Sequence, residues 1–409
     1  MKKIKLIFLI WGILYFSMLS FSQSQSTRGE MLGAVNSITS GVPFLLIAPD
    51  SRAGAMGDAG VATSPDAFSQ HWNPAKFAFV EKDLGLSLSY SPWLRNLVGD
   101  INLSYLAGYK RIDNRQVIGA SLLYFSLGDI VFTDIGGVKL NNFRPNEFAI
   151  DASYALLLSK KISGGVALRY IYSNLTGGAM VGNTESHPGY SVAADISMFY
   201  QNNMRISDKD AILSFGMNIS NIGSKISYTD DASANFIPTN LRLGSALLLE
   251  MDKYNSITAT IDLNKYLIPT PAIYDSTGNK VLYGYDSKSI SVPEAMFRSF
   301  YDAPGAPQSD GTRNVLEEEL NEITYSIGLE YWYAKQFALR TGFFYEDETK
   351  GNRKFFTVGL GLKLNVFTMD FSYLIPTQQH NPLENTLRFS LGLNFEALKK
   401  KSVEEEKVK

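Results

Sequence analysis

The side chains best able to do covalent or acid–base chemistry are sparse in this chain. It has three histidines, His71, His187 and His380, and no cysteine. Zero cysteine removes disulfides, thiolate zinc sites, iron–sulfur clusters and cysteine nucleophiles together. The histidines lie too far apart in sequence to suggest a metal cluster, and His187 and His380 fall in segments that read as loops. A G-x-S-x-G elbow, an H-E-x-x-H helix, a Walker A loop and a dinucleotide G-x-G-x-x-G are all missing. The pattern therefore assigns no catalytic residue, no cofactor and no metal. The charges that remain are spread thinly along a regular alternation: Lys110, Asp151, Arg169, Asp195, Arg242, Asp262, Glu330, Arg340, Lys363, Asp370 and Arg388.

The elements that carry these charges have a period of two. Leu387, Phe389, Leu391, Leu393 and Phe395 share one face of the last segment, and Arg388, Ser390, Gly392 and Asn394 share the other. Alternation of this kind makes a strand with one oily and one polar face. About fourteen such segments follow one another, at 84–91, 100–111, 115–127, 146–159, 161–175, 189–201, 210–222, 237–251, 255–266, 321–334, 336–346, 354–364, 366–375 and 385–395. Most are longer than the five or six residues usual in soluble sheets and suit the roughly nine to eleven needed to cross a bilayer at a tilt. The connections alternate short and long, as bacterial barrels alternate periplasmic turns and external loops. Only 202–209 is out of pattern, being longer than a tight turn on the periplasmic side. A soluble sandwich would need shorter strands, and the oily set here is too large for one soluble core.

The expected fold is all-β: a fourteen-stranded antiparallel transmembrane barrel over residues 84–395, behind an N-terminal plug or helical segment at 23–83. The charged residues named above would face inward, because Lys or Arg facing lipid near the midplane costs about 2–4 kcal/mol. Both signs occur, which favours an ion-pair network over a selectivity filter. Lysines and arginines together number 38 against 40 acids, and the net charge of −2 argues against a nucleic-acid partner. An apolar fraction of 45% excludes general disorder. A mean hydropathy of −0.06 excludes a bundle of membrane helices.

Residues 1–22 read as a secretory signal peptide, with Lys2, Lys3 and Lys5 before an apolar run. Residues 396–409 read as a charged periplasmic tail. Two loops are expected to bind partners. Loop 128–145 carries Ile130, Val131, Phe132 and Ile135, apolar for an exposed loop. Loop 267–320 carries Met296, Phe297 and Phe300 beside the acidic run Glu317-Glu318-Glu319, and is either a docking platform or an ordered lid.

Ahead of the barrel lies a glycine–alanine stretch (Ser51-Arg52-Ala53-Gly54-Ala55-Met56-Gly57-Asp58-Ala59-Gly60), then Asp66-Ala67, then His71-Trp72-Asn73-Pro74-Ala75. This order resembles the FadL-like outer-membrane family. From Ile38 to Ala75 it is similar to the PorV proteins of type IX secretion, with Asn73, Pro74 and Ala75 as the plug motif. The resemblance implies a Gram-negative outer membrane, in Bacteroidota, and a carrier without chemistry of its own. Its partners would be the type IX translocon barrel, secreted cargo with a C-terminal signal domain, surface attachment-complex proteins and outer-membrane lipid. The wider family implies the alternative, a transporter of hydrophobic solutes. That would need an apolar lumenal pocket and a gap in the wall, for which Gly164-Gly165 is a candidate kink.

Overall fold

A computed structural model describes residues 35–95, 99–133, 139–178, 180–181, 184–229, 234–287, 290–378 and 381–395. The chain divides into two compact units, Met1–Asn36 and Ser37–Lys409, and every element described lies in the second. Fourteen strands close one antiparallel barrel. They are β1 (Leu84–Pro92), β2 (Asn102–Arg111), β3 (Gln116–Ser126), β4 (Asn146–Leu157), β5 (Ile162–Asn174), β6 (Gly189–Ile206), β7 (Lys209–Gly223), β8 (Asn240–Glu250), β9 (Asn255–Tyr266), β10 (Thr324–Tyr333), β11 (Phe337–Tyr345), β12 (Lys354–Leu364), β13 (Phe367–Pro376) and β14 (Leu387–Phe395). Each pairs with its neighbours in sequence, and β1 closes on β14 from Leu84↔Phe395 to Tyr90↔Phe389. Closure leaves no strand edge unpaired, the condition for sheet structure in lipid. Among the described residues no helix is long and apolar enough to cross a membrane.

The alternation sorts by face as expected. Leu88, Leu168, Val192 and Leu339 point outward and are more than half exposed, while Asp151, Arg169, Asp195, Arg242, Asp262, Glu330, Arg340, Asp370 and Arg388 point inward and are buried. Two inward pairs sit directly opposite each other across strands, Asp151↔Arg169 and Glu330↔Arg340.

Three expectations need correction. Lys110 faces outward at the short-turn end of β2; the inward residues there are Leu103, Tyr105, Ala107 and Tyr109. The lumen is apolar on this side because it packs a cluster from the preceding segment, Val42, Phe44, Leu45 and Phe68, so the oily set of β2 turns inward and Ser104, Gly108 and Lys110 are left outside, which inverts the sign of the alternation. Lys363 keeps inward parity but lies exposed near the end of β12. The connection at 202–209 is not a loop. β6 and β7 stay paired from Asn202↔Leu213 to Ile206↔Lys209, and Ser207 and Asp208 alone make the turn, at φ 47° and 67°. Positive φ at both central residues is the hairpin geometry that matches strand twist. Gln201, Asn202 and Asn203 interrupt the apolar alternation there, whereas backbone pairing needs no oily side chain to continue.

Residues 41–80 fill the lumen. They form the 3-10 turn Pro43–Leu46, single helical turns at Ser51–Gly54 and Ser69–Trp72, and a second 3-10 turn at Pro74–Phe79. Their backbone runs so close to the wall that several strands have no side chain to spare there. A Cβ at Gly342 would collide with the backbone of Met56 and Gly57, and one at Gly165 would lie 2.6 Å from the Ala75 nitrogen. Gly165 therefore serves packing, whereas a Cβ at Gly164 would meet only Leu158, at 3.5 Å. β5 runs through both glycines unbroken, paired on both sides by Ala155↔Gly165 and Ser197↔Gly165. Overpacking a filled site costs about 1–3 kcal/mol. Gly342→Val should leave a heat-modifiable barrel whose lumenal segment is displaced, so trypsin should cut at Arg52 in the folded protein. The outward-facing Leu339→Val should leave Arg52 uncut.

Candidate functional site

The lumenal segment is held by polar side chains from all round the wall. Asp262 of β9 accepts from the Gly60 and Val61 amides at 2.7 and 2.9 Å. Thr357 accepts from Gly57 N at 2.9 Å, and Ser390 from Ser51 N at 2.8 Å. Arg52 forks onto Glu330 at 2.9 Å and Asp66 at 2.8 Å. Glu330 also pairs with Arg340 at 2.7 Å, which continues to Asp370 at 2.6 Å. A second chain runs Asp151–Arg169–Asp195, at 2.6 and 3.2 Å. Buried charges demand partners of this kind. Inside the segment, Asp50 ties Trp72 Nε1 to the first helical turn, at 2.6 Å to the indole and 2.9 Å to Ala53 N.

Asn73-Pro74-Ala75 acts as a staple. The Asn73 amide donates to Val61 O at 3.1 Å and to Met198 O of β6 at 3.0 Å, and its Oδ1 accepts from Ala75 N. Ala75 N also donates to Ser197 Oγ at 3.0 Å, and Ala75 O accepts from Ser163 Oγ at 2.7 Å. Pro74 opens the 3-10 turn where its missing N–H costs nothing. Ala75 is fully buried, so the motif needs a small residue there.

Above the lumen, the long loop between β9 and β10 is ordered by a buried charge cluster. Lys265, at the end of β9, binds Glu319 at 2.9 Å and Glu322 at 2.7 Å. Lys350, between β11 and β12, binds Glu318 at 2.5 Å and Glu322 at 3.1 Å. Thr270 donates to Glu322 at 2.6 Å, and Ala303 N to Glu319 at 2.9 Å. Two helices stand in this loop, α1 (Val292–Arg298), capped by Ser291, and α2 (Val315–Asn321), capped by Asn314.

Between the segment, the wall and this cap lies a cavity of about 60 Å³, lined by Asp58, Trp72, Asn264, Arg242, Glu322 and Arg353 among others. It is polar and far below the roughly 300–1,000 Å³ of small-molecule sites. A larger hollow of about 660 Å³ lies outside the barrel, on the lipid-facing wall between Leu88, Leu339, Leu360, Met369 and Phe389.

A family model described as "Type IX secretion system protein PorV" matches residues 32–273, more than half of the chain. The chain belongs to the PorV family. That match spans the lumenal segment, its staple and the first nine strands. Fold and family together mark a Gram-negative outer-membrane barrel and a type IX secretion component. No curated protein matches the sequence. The chain is similar to the toluene transporter TodX of Pseudomonas putida, at 11% identity and TM-score 0.47, over 88% of this chain and 97% of that one. It is similar to the toluene transporter TbuX of Ralstonia pickettii, at 12% and 0.43, over 85% and 98%. It is also similar to a FadL homologue of Pseudomonas aeruginosa, at 10% and 0.41, over 88% and 100%. At these identities they say nothing about what this PorV-family chain binds.

The loop residues singled out from the sequence scatter. Ile130 and Val131 are about two-fifths exposed on a short hairpin. The side chain of Phe132, and all of Ile135, lie outside the described residues, as do His380, the leader at 1–22 and the tail at 396–409. Phe297 is 76% exposed on α1 and Phe300 half exposed just after it, while Met296 is half-buried. His71 is buried edge-on to Trp72 and Tyr105, and His187 lies half-buried beside Pro188. The acidic run does not face solvent as a unit: Glu318 and Glu319 are buried and only Glu317 looks out. Sequence reasoning missed the two lysines that turn them inward and the Arg52–Glu330 tie. The available signal was glycine recurring mid-strand at inward parity.

Two outcomes follow for this PorV-family barrel. Glu330→Gln should leave Arg52 with Asp66 and Arg340 with Asp370 as their remaining carboxylates, and weakening a buried charge network costs up to about 3–5 kcal/mol. The gel-shift melting temperature should fall, and a wild type silent in planar bilayers should give transient openings. The cap should respond to pH through Asp302. Burial, with Glu319 and Glu322 beside it, pushes its carboxyl up to about 6 from 3.8. A raised carboxyl makes the closed cap bind its proton more tightly than the open one. Closure is therefore favoured at low pH and loses stability between about pH 4 and 6. Amide exchange over 300–322, corrected for intrinsic base catalysis, should speed up across that window, and Asp302→Asn should flatten the response.

Proposed function

We propose that this chain is the outer-membrane carrier of a Bacteroidota type IX secretion system. It receives cargo with a C-terminal signal domain at its external loops and passes it from the translocon barrel to the cell-surface attachment complex. On this reading residues 1–22 are removed on export, 23–83 plug the barrel of 84–395, and 396–409 extend into the periplasm. The observation that carries the reading is a lumen already occupied by its own chain, in a family tied to type IX secretion. A solute transporter needs an apolar pocket inside the wall. Here a cavity among the described lumenal residues is small and polar, and a larger apolar hollow is on the outside. The working surface is then the loop side, where Ile130, Val131, Phe297 and Phe300 present apolar side chains.

The test compares secreted and envelope proteins in wild-type and deletion strains. Proteins sharing a C-terminal signal domain should leave the surface and accumulate with that domain uncleaved. An unchanged secretome with reduced uptake of an apolar solute would replace the carrier with a transporter. Phe297→Asp should lower surface delivery without changing barrel abundance. Loss of an anchoring aromatic costs about 2 kcal/mol or more of binding, roughly thirtyfold in affinity.

A further inference from the structure

Helix α2 is built inside out. Glu318 and Glu319, with Glu322 at its C-cap, are buried, while Leu316 and Leu320 are 68% and 51% exposed. A helix lying on a water-bathed surface shows the opposite arrangement. The inversion is enforced from below, since Lys265 and Lys350 hold all three acids on the side facing the barrel mouth. Leu316 and Leu320 are four residues apart and form one stripe on the other side. Glu317, at the edge of that stripe, is held by Gln308 Nε2 at 2.7 Å.

The stripe runs into a surface that already faces lipid. Ile323 N bonds back to Leu320 O at 3.2 Å, and β10 begins at the next residue. Its outward side chains are Tyr325, Ile327 and Leu329, the last two about half exposed. Tyr325 meets Tyr345 at 6.2 Å between ring centroids, at the loop-side ends of β10 and β11. Outer-membrane barrels carry aromatic girdles at that level.

We infer that α2 is an interfacial helix whose Leu316 and Leu320 rest in the boundary between headgroups and acyl chains of the outer leaflet. The helix satisfies both demands of that position, with an apolar stripe toward lipid and a polar face turned away from it. Its acids are neutralised inside the cap instead of being offered to water. Lipid is the occupant because the stripe is continuous, through Ile323 and Tyr325, with the lipid-facing wall. The cap is then moored twice, by lysines on its inner side and by lipid on its outer side. This inference does not depend on the cargo reading.

The absence of cysteine gives a clean background for testing it. Single variants Leu320→Cys, Leu329→Cys and Ser276→Cys of the full chain would carry a bimane label. Each would be reconstituted into phosphatidylcholine vesicles with and without 5-doxyl phosphatidylcholine. Leu329 reports the lipid-facing wall, and Ser276 an exposed hairpin turn of the same loop. The label at 320 should be quenched at least half as strongly as at 329 and severalfold more than at 276. Quenching at 320 no greater than at 276 overturns the inference. So does a disulfide-linked dimer through Cys at 320 in the same vesicles, which would make a second copy the cover. Heat-modifiable migration confirms folding, and Leu316→Cys gives the same readout if Leu320→Cys does not fold.

Discussion

Glu330 sits between two guanidiniums, one from the wall and one from the segment inside it. Much of the structure follows from what that contact stands for. A barrel in lipid must turn its polar face inward, and an inward polar face away from bulk water must be paired. Strand-to-strand pairs such as Asp151–Arg169 meet part of that demand. The rest is met by the chain's own N-terminal segment, which brings Arg52, Asp58 and a row of backbone amides to wall residues that would otherwise be stranded. Wall and filling are therefore one hydrogen-bonded object.

That object shapes the residues on both sides of it. The wall gives up side chains where the backbone passes, at Gly342 and Gly165, and the segment gives up bulk at Ala75. On the β2–β5 side the contact becomes apolar, with Phe44 and Phe68 against Tyr105, Phe125 and Ile171. One lumen thus holds oily patches beside buried charge pairs such as Asp151–Arg169, set by what it packs against. The same logic reaches the cap, where acids are turned toward two lysines and leucines are left outside.

The strand number, nearly every strand limit and the outward set were legible in the sequence. A period of two needs only that one face meet lipid and the other not, and that condition holds locally along each strand. Lys110 shows where this fails: the oily residues of β2 face an apolar cluster inside the lumen, so parity takes the opposite sign, and only the partner across the lumen decides it. Residues 202–206 fail for another reason, because pairing continues past the polar residues Gln201, Asn202 and Asn203 that interrupt the apolar signal.

For the candidate site, the Asn73-Pro74-Ala75 staple was visible as wording but not as geometry, since its partners Met198, Ser197 and Ser163 lie about a hundred residues away. The acidic run was legible only as part of a docking platform or a lid, because nothing local announces Lys265 and Lys350. The sequence by itself determined that this chain makes a closed fourteen-stranded barrel with polar residues inside, because alternation and lipid are a local matter. Which charges pair, what fills the lumen and which face of each loop helix looks outward were decided only in the tertiary structure. Those are contests between distant residues for the same buried space, and neither contestant's sequence contains the other.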